Sequence, residues 1–78
     1  MNDELLMMIA KMFKEEEQEV IREAMNSITL DLVMDSEINL FNTQRSIIQL
    51  SKGSLEDFQN YVKCAKKDFR DVIYWASN

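Results

Sequence analysis

Seventy-eight residues with fourteen acids, nine bases and no histidine carry a net charge of −5 and fit one small domain, residues 1–78. One glycine, no proline and a hydrophobic content of 46% favour long helices joined by short turns. Without histidine the usual acid/base group near neutral pH and the commonest metal ligand are missing, which argues against an ordinary hydrolase or a zinc module. The lone Cys64 makes no internal disulfide, which argues against a secreted disulfide framework and for a reducing cytoplasm. The start, Met1-Asn2-Asp3-Glu4, is acidic where a signal peptide carries positive charge. No apolar run approaches the roughly 20 residues of a membrane span, and an anionic chain is repelled by an acidic leaflet, so no membrane contact is expected.

From Asp3 to Met25 or Ser27 the spacing predicts helix. Leu6, Ile9, Phe13, Val20 and Ala24 recur at helical intervals, and Leu5, Met12, Ile21 and Met25 widen the stripe. The run Glu15-Glu16-Glu17-Gln18-Glu19 interrupts it, which allows either one long helix or a helical hairpin tightened near Lys14–Glu17. Glu15, Glu19 and Glu23 stand four apart and repel one another along one edge.

Residues 26–37 read two ways. Ile28, Leu30, Leu32 and Met34 alternate with Thr29, Asp31, Val33 and Asp35, almost a half-buried strand pattern, which suggests a short extended segment near residues 28–34. A single strand needs a pairing partner for its backbone, whereas a short helix from Thr29 bonds locally and costs less.

Helix resumes at Asp35 or Ser36. Ile38, Phe41 and Ile48, with Leu40, Ile47 and Leu50, supply its apolar side as far as Ser51-Lys52. Gly53 fits the left-handed position that closes a helix. Ser54 with Asp57 three residues on is a near capping box, opening a helix whose inner stripe is Leu55, Phe58, Tyr61, Val62 and Ala65. Asp68 and Asp71 repeat that spacing before Phe69, Val72, Ile73 and Ala76. The fold expected is all-α, a compact bundle of three to five helices whose last two or three form the firmer unit.

The run Leu50-Ser51-Lys52-Gly53-Ser54-Leu55-Glu56-Asp57-Phe58, then Tyr61-Val62 and Ala65 to Ala76, resembles a group of small uncharacterised bacterial helical proteins. In those, a turn rich in Lys, Gly and acids opens one helix, and an Ala, Lys, Asp-aromatic-Arg-Asp-Val stretch opens the last. Ser54 stands where they commonly carry Asp or Asn. The resemblance covers about one third of the chain and implies a helical packing unit of bacterial or phage origin, with no activity attached.

Each constellation has a plain structural alternative. Arg70, flanked by Asp68 and Asp71, could receive an acidic side chain, although helix capping already explains both aspartates. Tyr74 and Trp75 are adjacent and cannot share one helical face, so one is expected inside and the other as an interface anchor. Lys63, Lys66, Lys67 and Arg70 form a cationic side, but the acidic chain makes nucleic-acid binding an unfavoured reading. Asp31, Asp35 and Glu37 lack the glycine and alternating donors of a calcium loop, and Glu19 with Glu23 lacks a glutamate-histidine pair, so no metal or cofactor is expected.

Charge is uneven: residues 1–42 hold ten acids against three bases, and residues 43–78 four acids against six bases. That asymmetry could orient a partner, pair two copies head to tail, or be neutralised within the bundle. Met7, Met8, Met12 and Met25 give the amino-terminal region an adaptable apolar surface. The function expected is therefore noncatalytic, a protein-binding adaptor or regulator, with an acidic nucleic-acid mimic or a structural homo-oligomer as alternatives. Leu5, Met8, Met12 and Phe13 are expected to give apolar contact, Glu16 and Glu19 to set orientation, and Trp75 to anchor.

Overall fold

The computed structural model describes residues 1–77, and among them every regular element is helical. The elements are α1 (Asp3–Met12), α2 (Glu15–Asn26), a 3-10 turn (Leu30–Val33), α3 (Glu37–Ser51), α4 (Leu55–Lys67) and α5 (Phe69–Ala76). The described residues form an all-α bundle without a strand. No helix among them is long and apolar enough to cross a membrane.

The hairpin alternative holds for the first half. Asn2 caps α1, its side-chain oxygen accepting from the Leu5 N–H at 3.0 Å. Phe13 and Lys14 then turn extended and break the helix. Lys14 offers α2 no side-chain cap, and Glu15, Glu16 and Glu17 occupy the first turn instead, where carboxylates favour the positive end of the helix dipole. Gln18 Nε2 donates back to the Phe13 carbonyl at 3.1 Å and satisfies the break. The glutamate run thus marks a helix start.

Most of the expected inward stripe holds, but its phase follows the widened edge, with Leu5 and Ile21 inside in place of Leu6 and Val20. Leu5, Ile9 and Phe13 of the first helix and break, with Ile21, Met25 and Ile28 further on, are buried, whereas Leu6 and Val20 are exposed. Of the two readings of residues 28–34, the short helix following Thr29 holds and the extended segment does not. Its alternation does not describe burial, because Ile28 and Val33 point inward while Leu30 and Met34 are exposed. The segment instead closes as a 3-10 turn, and Met34 and Asp35 follow it with φ of 60° and 55°. Asn39 Nδ2 donates to the Val33 carbonyl at 3.2 Å and ties this turn to α3.

Helix α3 is the central element, packed against α1, the 3-10 turn, α4 and α5. Ser36 caps it, Oγ accepting from the Asn39 N–H at 3.1 Å. It buries polar residues on more than one face: Thr43, Gln44, Ser46 and Ser51. The hydroxyls of Thr43 and Ser46 donate to carbonyls four residues back, at 2.7 and 2.6 Å. Gln44 Nε2 reaches the carbonyl of Met25 at 3.1 Å, a buried bond between α3 and α2. With such partners no buried side-chain polar atom among the described residues is left unsatisfied, which is what interior packing requires. Ile38, expected on the apolar side, is 73% exposed.

The caps of the last two helices follow the sequence. Ser54 Oγ accepts from the Asp57 N–H at 3.2 Å. Asp68 ends α4 and caps α5, accepting from the Arg70 N–H at 3.1 Å. Phe58, Val62 and Ala65 of α4 join Phe69 and Val72 of α5 in the core, and Phe13 meets Phe58 edge-on with ring centroids 5.8 Å apart.

Gly53 serves two purposes. Its φ of +83° is in the left-handed region, and a Cβ placed there would stand 2.8 Å from the carbonyl oxygen of Met12. The turn between α3 and α4 therefore presses backbone to backbone on the end of α1. Gly53→Ala adds left-handed strain of about 1–2 kcal/mol and a clash with that carbonyl. A loss of more than about 1 kcal/mol in urea unfolding is expected; a change within a few tenths would contradict the close approach.

Candidate binding groove

The residues expected to form a contact surface on α1 do not come together on one. Leu5 and Phe13 lie in the core, and Met8 and Met12 are half-buried against it. Glu16 and Glu19 stand exposed on α2. Trp75 is 42% exposed and leans on Tyr61, with centroids 6.3 Å apart and rings tilted by 60°. The expectation that one of Tyr74 and Trp75 turns inward is corrected, since Tyr74 is 66% exposed. A helix only as long as Phe69–Ala76 buries a narrow stripe, here Phe69 and Val72, and both later rings fall outside it.

The more apolar concavity lies elsewhere, between the exit of the 3-10 turn, the first turns of α3, and α5. Met34, Asn39, Phe69, Arg70, Ile73, Tyr74 and Ser77 line a groove of about 440 Å³. It shares Met34, Phe69 and Arg70 with an adjoining hollow of about 390 Å³ that Leu32, Lys66 and Lys67 also line. The left-handed backbone at Met34 leaves its side chain 73% exposed at this junction. Asx-type residues tolerate such a conformation better than methionine does, and backbone strain of this kind is often found where a protein meets a ligand.

A second hollow, of about 420 Å³, lies between α4 and α5 and is lined by Asp57, Asn60, Tyr61, Cys64 and Trp75. Cys64 is half-buried there as a free thiol. Among the described residues no three His, Cys, Asp or Glu side chains gather as a metal site.

The electrostatics divide by region. Arg70 grips Asp68 through two contacts, Nε–Oδ1 at 2.9 Å and Nη2–Oδ2 at 3.1 Å, so its fork is already engaged. The Arg70 side chain, then its backbone N–H, holds the Asp68 carboxyl below the usual carboxylate range. The four cationic residues do not form one track. Lys63 and Lys66 flank a hollow beside Ala24 of α2, while Lys66, Lys67 and Arg70 border the hollow at Met34. Among the described residues the one ion pair joining the acidic and basic halves is Arg45 with Glu4 at 3.7 Å. Most of the charge asymmetry is thus not consumed by direct pairing inside the bundle.

No family model matches the chain, and no curated protein or solved structure does either.

The groove had only partial sequence signals. Tyr74 was visible as an aromatic that could not share a face with Trp75, whereas Met34 looked like an ordinary member of an apolar alternation. Asp68 gives a test of the local geometry. Its depressed value favours folding above the ordinary carboxylate range, and that contribution is lost as pH falls through the folded value. In an NMR titration, Arg70→Gln should raise the Asp68 midpoint toward the ordinary range; an unchanged midpoint would contradict the Arg70 contacts.

Proposed function

We propose that this chain is a noncatalytic protein-binding module, an adaptor or regulator acting in the cytoplasm, which receives an apolar helical segment in the groove between the 3-10 turn and α5. The observation that carries this reading is the groove itself. Phe69 and Ile73 line it, and exposed Met34 and Tyr74 stand at its edge. Methionine and tyrosine suit such a rim, one because it repacks around different shapes, the other because it offers a large ring at little entropic cost. An amphipathic helix laid in an apolar groove is a recurrent mode of recognition that needs no catalytic group.

The acidic run is a weaker basis for a nucleic-acid mimic. Glu15, Glu16 and Glu17 lie in the first turn of α2, where the uncapped helix end gives them a local reason. The expected contact set on α1 is also revised. Substituting Met8 or Met12 would disturb residues packed on the core, so those positions make poor probes of binding.

The test compares intact protein with a Met34→Asp/Tyr74→Asp variant. Both sites are exposed, so the helical circular dichroism should be unchanged. The bacterial or phage origin expected from the sequence makes a nuclease-treated bacterial lysate the first source of partners. A partner that is captured by the intact chain and then purified should bind the variant at least about tenfold more weakly. Equal affinity for both would overturn the groove as the binding site.

A further inference from the structure

Helix α1 turns apolar side chains both ways. Its inner face, Leu5 and Ile9, is spent on the core. Asp3, Leu6, Met7 and Ala10 follow at intervals of three, one and three, which places them together on a second face, and all four are exposed. Met7 is 59% exposed. An outer stripe of this kind, apolar with a carboxylate at its amino end, is what an apolar groove with a cationic end receives in helix-in-groove recognition.

The groove has that complementary form. Its walls are Met34, Phe69, Ile73 and Tyr74, and Lys66 and Lys67 border the adjoining hollow. Asp68 engages Arg70, whereas the two lysines bordering this hollow make no ion pair among the described residues. On the other surface, Glu4 faces Arg45 of its own chain, and Asp3 makes no ion pair among the described residues. The chain as a whole is anionic, so the positive charge next to the apolar groove is local, and carboxylates to match it are found on the same chain's acidic half.

We propose that the groove takes the outer face of α1 from a second copy of this chain, with Leu6 and Met7 against Met34 and Tyr74 and Asp3 toward Lys66 and Lys67. The inference rests on the protein-binding reading of the groove and names its partner. Two unlike surfaces meet, so each copy carries both a donor and a receptor, as in heterologous association. A one-helix contact is small, which predicts reversible association that depends on protein concentration.

The test uses sedimentation velocity on the full chain and on two single variants, Met7→Lys and Met34→Asp, each placed at an exposed position and checked for intact helicity. Intact protein should shift from monomer to larger species as concentration rises, and each variant should require at least about tenfold higher concentration to do so. An equimolar mixture of the two variants should recover a one-to-one heterodimer, because the Met34→Asp chain keeps its donor helix and the Met7→Lys chain keeps its groove. Three outcomes would overturn the proposal: intact protein that stays monomeric, a variant that associates as the intact chain does, or a mixture that stays monomeric. If intact protein stays monomeric while Met34→Asp/Tyr74→Asp loses a different purified partner, self-recognition falls and the protein-binding reading stands.

Discussion

The backbone of Gly53 rests against the carbonyl of Met12, and the remaining architecture depends on that close approach. It brings the turn between α3 and α4 to the place where α1 ends, with room for no side chain between them. Phe13, the residue after that carbonyl, then lies edge-on to Phe58 three residues into α4. Gln44 completes the junction from α3 by donating to Met25 near the end of α2. The first hairpin and the last three helices consequently share one core, which a chain this short needs, since it buries only about 60–65% of its unfolded surface.

That shared core determines what remains on the outside. Leu5, Ile9 and Phe13 are committed inward, so the apolar character of α1 that looks outward comes from Leu6 and Met7. Helix α5 is too short to cover its own flank, and the left-handed backbone after the 3-10 turn projects Met34 toward that flank. The result is a bundle with an apolar stripe on one helix and an apolar groove beside another. Beside the groove Arg70 pairs with Asp68 within the chain.

Local signals in the sequence were legible where the physics is local. Ser54 with Asp57, the start of α3 at Ser36, the cap at Asp68 and the left-handed turn around Gly53 all depend on neighbours within four residues. Lys52 shares that left-handed conformation, which its side chain did not announce. The inward face of α1 was harder to read, because Leu5-Leu6-Met7-Met8-Ile9 puts apolar groups on every side and gives the stripe no phase. Val20-Ile21 leaves the same ambiguity in α2. The buried polar residues of helix α3 were hidden from the sequence for a different reason. A central helix buries several faces, and its interior admits Thr43, Gln44 and Ser46 because backbone carbonyls accept from them. Ile38, in its first turn, is outside that packing. The groove itself was not legible, since it is assembled from residues thirty or more positions apart, Met34 and Asn39 against Phe69, Ile73 and Tyr74.

Native-state amide hydrogen exchange measures the shared core most directly, because it reports the opening free energy of each helix separately. If the hairpin and the three following helices form one cooperative body, the amides of Ile9, Ile21 and Met25 will exchange with the same free energy as those of Ile47, Phe58 and Val62. Exchange of the α1 and α2 amides at a free energy several kcal/mol lower would contradict the account, since the hairpin would then detach while α3, α4 and α5 stayed folded.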